Sequence, residues 1–293
     1  MLQMVRFLLV VLIGTAAVSG CDVLDLKGIF VPTGDGVERR FEQSCDMLEN
    51  LYSGSIEALD DYMFYVCTDP HIDKTYKCLG IFNDALRNDD GASFGVVLGD
   101  CTGKKDNLQT YLKALAYNRE LHKYDNKLFH VVGNHDLFFN GWVDFKDNVG
   151  PSVFWFEVVF PGGRDLYVSL DTGTGSLGRR QTEWFKSFLS DNRSKYRHCI
   201  ILTHTNFFYT DLTQASSGNM PVEESMALID FLSRQNVSLV LQGHDHYRED
   251  LTYGNVRYTV LGSINDDMVA PEYLKVKVTS DEIFFDWIVL SSK

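Results

Sequence analysis

The sequence has no excess of positive charge. Its 27 lysines and arginines are outnumbered by 40 aspartates and glutamates, which gives a formal net charge of −13. Proteins that bind nucleic acid concentrate lysine and arginine against the phosphate backbone. We therefore expect no nucleic-acid partner. A local pair such as Arg179-Arg180 keeps a nuclease among the alternatives.

Closely spaced cysteine pairs are also lacking. The six cysteines are Cys21, Cys45, Cys67, Cys78, Cys101 and Cys199, and none of them forms a CxxC motif. Their wide and irregular spacing indicates neither a disulfide framework nor a thiolate zinc site. Cys67 and Cys199 lie in apolar runs, where a buried thiol packs as a small hydrophobe. The spacing leaves disulfide pairing open.

Beyond the N-terminus, the sequence has no apolar run long enough to span a bilayer. Residues 1–20 combine Arg6 with the apolar run FLLVVLIGTAAV and small residues, which is the layout of a secretory signal peptide. The ending VSGC resembles a bacterial lipobox, in which the cysteine is lipidated; ordinary cleavage near Gly20 is the alternative. We predict an exported protein of the bacterial cell envelope, facing the periplasm or the cell exterior, with a lipid anchor on Cys21.

Apolar strands alternate with helical patterns in most of the remaining chain. The strand-like runs lie at 61–69, 94–100, 128–136, 199–204 and 237–246, and the helical patterns at 76–87, 106–124, 180–192 and 222–236. This alternation predicts parallel βαβ units of an α/β fold. We predict one domain over 61–293 after a lead-in segment at 21–60.

Two further β-rich regions do not fit a parallel sheet. The runs on either side of Pro161-Gly162-Gly163 predict a hairpin, and the last part of the chain reads as a β meander without helices. We expect these two regions to form a second, more antiparallel sheet that packs on the first.

Each of the five strand-like runs stops on Asp, Asn or His. The clusters are Asp69-Pro70-His71, Gly99-Asp100, Gly133-Asn134-His135-Asp136, His204 and Gly243-His244-Asp245-His246. Ligand sites in open α/β sheets lie outside the carboxyl ends of the strands, so parallel strands would bring all five clusters to one rim. Each cluster alone is weak evidence for a functional site, whereas the occurrence of all five predicts one.

The residue types in these clusters predict metal binding. Carboxylate, imidazole and amide oxygen are ligands of Mn, Fe and Zn, and no thiolate is required. Asp69 and His71 are two apart on an extended segment and point to the same side, whereas a loop can direct His244 and His246 toward adjacent ions. The set is too large for one tetrahedral zinc and suits two ions that share a carboxylate. Two such ions, about 3.5–4 Å apart, stabilise displacement at phosphorus and convert a bridging water to hydroxide.

The order Asp-x-His, Gly-Asp, Gly-Asn-His-Asp, His and Gly-His-x-His resembles the calcineurin-like metallophosphoesterase superfamily. The resemblance runs from about Asp69 to His246 and includes LDTGTGSLGRRQTEWFKSFL at 170–189. It implies a four-layer double β-sandwich flanked by helices. It also implies a metallophosphoesterase, a dinuclear hydrolase of small-molecule phosphomonoesters or phosphodiesters.

The resemblance assigns a role to each cluster. It implies two divalent or trivalent ions (Mn, Fe or Zn), one held by Asp69, His71, Asp100 and His246, and the other by Asp100, Asn134, His204 and His244. His135 is implied as the proton donor or transition-state stabiliser at the leaving oxygen, oriented by Asp136. Gly103 departs from the purple acid phosphatases, which carry a metal-binding tyrosine there, so that subfamily is not expected.

Two questions stay open at this stage. A metal-containing extracytoplasmic binding protein without turnover is an alternative; its expected signature is a missing ligand, and none is missing. The loops at 138–142 and 206–209 carry aromatics that would contact substrate or simply pack. The oligomeric state is not predicted.

Overall fold

The computed structural model describes residues 35–103, 107–122, 127–208 and 219–291. The predicted signal peptide and Cys21 lie outside these residues, so export and lipidation remain predictions. Among the described residues, no helix combines the length and apolar character needed to cross a membrane.

Helices and strands alternate through the first two thirds of the described chain. The helices are α1 (Val37–Met47), α2 (Lys77–Asn88), α3 (Leu108–His122), α4 (Asn134–Leu137), α5 (Trp142–Asn148), α6 (Gly178–Asn192) and α7 (Val222–Arg234). The strands are β1 (Tyr52–Glu57), β2 (Tyr62–Cys67), β3 (Ala92–Val97), β4 (Lys127–His130), β5 (Phe154–Phe160), β6 (Gly163–Ser169), β7 (Cys199–Leu202), β8 (Leu239–Gln242), β9 (Glu249–Tyr253), β10 (Val256–Val260), β11 (Glu272–Val278) and β12 (Ile283–Val289).

The strands form two mixed sheets. The seven-stranded sheet has the order β1-β5-β6-β7-β8-β10-β9, and the five-stranded sheet has the order β12-β11-β2-β3-β4. Strands β6, β7, β8 and β10 run parallel in the first sheet, as do β2, β3 and β4 in the second. The strands that precede the polar clusters therefore contribute parallel neighbours to both sheets.

Aromatic side chains fill the space between the sheets. Phe64 of β2 and Phe94 of β3 stack with ring centroids 4.8 Å apart, and both meet Tyr167 of β6 edge to face. Tyr167 also stacks on Phe156 of β5 at 4.7 Å. All four are buried, and each contributes about 1.5–3 kcal/mol through removal from water. This shared core fixes the two sheets face to face.

Helices cover the outer face of each sheet. Apolar residues of α6 and α7 pack on the seven-stranded sheet, and those of α2, α3 and α5 pack on the five-stranded sheet. The molecule therefore has four layers, helix–sheet–sheet–helix, and the predicted α/β double β-sandwich flanked by helices is confirmed.

The predicted division of strands between the sheets is wrong. The hairpin β5–β6 joins the parallel strands β7 and β8, and the meander is split: β10 pairs with β8, whereas β11 pairs with β2. Sequence patterns report which faces of a strand are buried, but backbone edges pair in either direction. The sheet to which a strand belongs was therefore not readable from its residues.

The segment before residue 61 contributes two packed elements. Strand β1 pairs in parallel with β5, with Ile56 opposite Val158. Helix α1 packs on α6, where the rings of Phe41 and Trp184 are 5.9 Å apart. Part of the lead-in thus adds an edge strand and a helix to the seven-stranded side.

Candidate metal centre

The five polar clusters meet where the two sheets present the carboxyl ends of β2, β3, β4, β7 and β8. The chain reverses sharply there. Asp69, His71, Asp100, His244 and His246 all have positive φ, between 42° and 76°. Such backbone is costly for residues other than glycine and persists only where the surroundings impose it.

Three donor atoms converge in what we call the first cluster, Asp69, His71 and His246. The Nε2 atoms of His71 and His246 are 3.0 Å apart. They lie 3.6 and 3.3 Å from Asp69 Oδ1. That oxygen is buried and accepts no hydrogen bond of normal geometry from the described residues. Two imidazole nitrogens and an unsatisfied carboxylate oxygen thus face one point, which fits a cation.

The second cluster contains Asn134, His204 and His244. Asn134 Oδ1 lies 3.0 Å from both His204 Nε2 and His244 Nδ1, and these two nitrogens are 3.3 Å apart. The other ring nitrogen of His204 donates to the Leu98 carbonyl at 2.8 Å. In the neutral ring this bond leaves a lone pair on Nε2, which faces the Asn134 oxygen and suits a metal ion between them.

Asp100 lies between the clusters. Its Oδ2 is 3.5 Å from His71 Nε2 and also 3.5 Å from His204 Nε2. Its Oδ1 accepts from the backbone N–H of His135 at 2.8 Å, which fixes the orientation of the carboxylate. One carboxylate oxygen is therefore shared by two groups of ligands, as a bridging residue requires.

The carboxylates of the centre are strongly anionic. Burial alone raises the pKa of Asp69, but His246 and His204 hold it well below its usual range. The pKa of Asp100 is lowered for the same reason: burial raises it, but the nearby His204 and His135 lower it by more. Burial likewise lowers the pKa of His204, but Asp100 overrides it and raises that pKa to about 10. The buried negative charge thus attracts a positive charge, which a proton supplies when no ion is bound.

Two glycines allow the backbone to approach the ligands. A Cβ at Gly133 would overlap Oδ1 and the backbone nitrogen of Asp100, and a Cβ at Gly243 would overlap the hydroxyl of Thr68. That hydroxyl donates to Asp69 Oδ2 at 2.6 Å. Both positions therefore need glycine for lack of space beside a ligand.

A comparison with protein-family models identifies the family of this chain. A protein-family model described as calcineurin-like phosphoesterase matches residues 62–248. The chain belongs to the calcineurin-like phosphoesterase family. A comparison with curated protein sequences finds no match.

Solved structures share the fold at low identity. A dimetal phosphatase from Danio rerio is 13% identical with a TM-score of 0.57, over 79% of this chain and 99% of that one. GAP50, described as the anchor in the inner membrane complex of Plasmodium, is 14% identical with a TM-score of 0.56, over 80% of this chain and 85% of that one. The purple acid phosphatase PPD1 from yellow lupin is 13% identical with a TM-score of 0.59, over 78% and 51%. These likenesses show a common fold.

The predicted catalytic residues adjoin the clusters. The ring of His135 meets that of His71 edge to face, with centroids 4.6 Å apart. Asp136 Oδ2 accepts from the Gly133 N–H at 2.9 Å, within the first turn of α4. Burial, reinforced by Asp100, raises the pKa of Asp136 to about 8. This contact ties Asp136 to the backbone that carries Asn134; its orienting role toward His135 remains a prediction.

Sequence reasoning missed the groups that hold Asp69. Its backbone carbonyl accepts from Ser263 Oγ at 2.7 Å, and its Oδ2 accepts from the His244 N–H at 3.0 Å. Thr68 was detectable as the neighbour of a ligand. Ser263 carried no signal, because it is 194 residues away in sequence and follows an ordinary β-rich run.

The aromatic loops divide into packed and exposed members. Phe138, Trp142 and Phe207 are buried, whereas Phe139 is 53% exposed and has a φ of 56°. Tyr209 lies outside the described residues. Packing thus accounts for the three buried rings, and Phe139 is the aromatic residue of the 138–142 loop that is exposed to solvent.

Proposed function

We propose that the protein is a dinuclear metal-dependent hydrolase of small-molecule phosphomonoesters or phosphodiesters. The single observation that carries this proposal is the position of Asp100 Oδ2, 3.5 Å from a histidine nitrogen of each cluster. Membership of the calcineurin-like phosphoesterase family supports the reaction class. Carboxylate, imidazole and amide donors support Mn, Fe or Zn as the ions.

The chain would hold one ion with each cluster and share Asp100 between them. When bound, the ions would polarise phosphoryl oxygens and lower the pKa of water. The protein supplies orientation: the Leu98 carbonyl fixes the tautomer of His204, and Thr68 fixes the Asp69 carboxylate. We assign His135, beside His71, to proton donation at the leaving-group oxygen.

The proposal is tested with metal-stripped protein and two substrates, p-nitrophenyl phosphate and bis-p-nitrophenyl phosphate. Mn, Fe, Zn or Mg is added back, and bound metal is counted in the same samples. Turnover restored by metal supports the class, and the ratio of the two rates separates monoesters from diesters. Two bound ions without turnover on a broad panel of phosphoesters would favour the binding-protein alternative. No bound metal would contradict the proposal.

We also propose that the protein is exported and anchored through Cys21. The support is the sequence of residues 1–21, with its apolar stretch and lipobox-like VSGC. Expression in a bacterial host with labelled palmitate tests it. The wild type is expected to take up label and sediment with membranes, and Cys21→Ser is expected to lose both properties. Equal behaviour of the two proteins would exclude the anchor, leaving cleavage near Gly20.

A further inference from the structure

A buried arginine connects helix α1 to the segment that follows β6. Arg40 is fully buried and forms a two-pronged ion pair with Asp171, from Nε to Oδ2 at 2.7 Å and from Nη2 to Oδ1 at 2.9 Å. Nη1 also donates to the Asp35 carbonyl, and Nη2 donates to the Thr174 hydroxyl. A buried bidentate pair fixes the orientation of both partners, and loss of one partner leaves a buried charge unpaired.

The ion pair holds a turn, residues 171–173, which is separated from the end of β6 by Leu170. Asp171 Oδ1 also accepts from the Gly173 N–H at 3.2 Å. Gln181 of α6 brackets the same residue, since its side chain accepts from Asp171 N at 2.8 Å and donates to Asp171 O at 3.0 Å. The turn is therefore fixed from α1 on one side and from α6 on the other.

The turn contacts the residues on both sides of His204. Thr172 Oγ1 lies 2.8 Å from the Thr203 hydroxyl and accepts from the Thr205 N–H at 3.0 Å. The Thr172 carbonyl accepts from the Thr205 hydroxyl at 2.9 Å. The backbone that carries His204 is thus tied to the turn at three points.

The same turn supports the loop that carries Asn134. A Cβ added at Gly173 would come within 3.1 Å of the Gly133 carbonyl and 2.9 Å of Leu137 Cδ1. The turn therefore lies directly against the start of α4. By contrast, Asp69 of the first cluster is held by Thr68, Ser263 and the His244 N–H, as described above.

We propose that the Arg40–Asp171 ion pair is a positioning element for the second cluster, acting through the 171–173 turn on Asn134 and His204. Helix α1, which precedes the residues matched by the family model, is thus part of the support of the metal centre. The inference rests on the proposed dinuclear function. It assigns Arg40 a role in ion affinity at one cluster, in addition to any role in stability.

The test isolates each cluster and measures ion affinity by calorimetric titration of metal-free protein with Mn²⁺ or Zn²⁺. His71→Ala leaves the second cluster as the intact one, and His204→Ala leaves the first. Arg40→Met is added to each background. We expect the residual site in the His71→Ala background to weaken by about 10- to 100-fold, as for other groups that orient ligands. The residual site in the His204→Ala background should be unchanged.

Three further variants separate positioning from general destabilisation. Arg197→Met removes a comparable pair, Arg197–Asp165, in which Asp165 lies near the start of β6 and not in the turn that follows the strand. This variant should lower stability without changing either affinity. Arg40→Lys keeps the positive charge but cannot form the two parallel hydrogen bonds of a guanidinium. Its second cluster should therefore bind metal more tightly than that of Arg40→Met and more weakly than that of the wild type. If circular dichroism shows that Arg40→Met does not fold, the same affinities are measured on Arg40→Lys and on the double variant Arg40→Met/Asp171→Leu. The double variant leaves no buried charge unpaired.

Equal weakening of both clusters, or no change at either, would overturn the inference. These outcomes are distinct from a failure of the proposed function, because the wild type is titrated and assayed in parallel. A wild type that binds two ions and turns over phosphoesters keeps that function whatever Arg40 does. A wild type that binds none contradicts both.

Discussion

At the residue scale, the centre depends on Asp100, whose two carboxylate oxygens make different contacts. Oδ2 faces a histidine nitrogen of each cluster, and Oδ1 is held by the His135 N–H. The orientation of this carboxylate therefore determines whether both clusters share a donor.

Asp100→Asn is expected to abolish turnover and to reduce bound metal below two ions per chain. The amide keeps the shape of the side chain but removes the negative charge that two adjacent cations require. Metal analysis together with p-nitrophenyl phosphate hydrolysis measures both effects. Asp191→Asn, on the exposed face of α6, is the control and should match the wild type. Full metal content in Asp100→Asn would remove Asp100 from the bridging role.

His135→Ala is expected to separate metal binding from chemistry. Both ions should remain bound, while turnover falls by about 10²- to 10⁴-fold, the usual contribution of a positioned proton donor. The loss should be larger for an alkyl phosphate than for p-nitrophenyl phosphate, since a poor leaving group needs the proton more. Equal activity of variant and wild type on both substrates would show that His135 does not donate the proton.

At the element scale, the loops at the strand ends place the ligands by close backbone packing. Gly133 precedes α4 and packs against Asp100 so closely that a single methyl group would displace one of them. The element that presents Asn134 and the residue that bridges the clusters are therefore coupled through one glycine.

Gly133→Ala is expected to lower bound metal and turnover while the sandwich remains folded. The matched control is Gly80→Ala in α2, where an added Cβ would meet nothing within 4 Å. That control should keep both ions and gain about 1 kcal/mol from helix propensity. Metal analysis and thermal unfolding of the two variants check this expectation. Unchanged metal in Gly133→Ala would show that the loop adapts.

Asp89 links three elements and should make stability sensitive to acid. Tyr65 of β2 donates to its Oδ2 at 2.6 Å, and Lys275 of β11 lies 3.5 Å away. The Tyr65 hydrogen bond, aided by the Gly91 N–H and Lys275, lowers the pKa of Asp89 despite partial burial. A lowered folded-state pKa stabilises the fold fully above the unfolded value, near pH 4, and this gain is lost as pH falls through the folded-state pKa.

The free energy of unfolding of Asp89→Asn should therefore be about 0.5–1 kcal/mol lower than that of the wild type at pH 7. Solvent screening keeps this difference small. The difference from the wild type should narrow as pH falls below about 4. Urea unfolding of metal-free wild type and variant at pH 7 and pH 3 measures it. A difference that is constant with pH would assign the effect to packing instead of charge.

At the scale of the whole molecule, the centre connects the two sheets. The five ligand-bearing loops follow β2, β3 and β4 in one sheet and β7 and β8 in the other. Ions bound between them would add cross-links between the halves of the sandwich, in addition to the aromatic core. Binding to the folded state alone raises stability by mass action, by about 2.7 kcal/mol at a free ion concentration of 100 Kd.

Removal of metal by a chelator should therefore lower the Tm by several degrees, and Mn²⁺ or Zn²⁺ should restore it. Differential scanning calorimetry at matched ionic strength measures the shift. Asp100→Asn provides the control, because a chain with impaired clusters should respond less to the chelator. An identical response of the two proteins would place the stabilising ions elsewhere.

The amino-acid pattern alone predicts the alternation of strands and helices and the residues proposed for the centre. Five apolar runs that end on Asp, Asn or His identify the ends of parallel strands, because hydrophobic periodicity and polar termination are local properties. The structure brings Asp69, His71, Asp100, Asn134, His204, His244 and His246 together, with His135 and Asp136 beside them.

The pairing of strand edges, and the distant residues that support the ligands, are visible only in the folded chain. Strand β10 joins one sheet and β11 the other, although both belong to one meander in sequence. Ser263 supports Asp69 across 194 residues, and Arg40 pairs with Asp171 across 131. Side-chain periodicity records burial along the chain and carries no information about edge pairing or contacts between remote segments. Those depend on how the whole core closes.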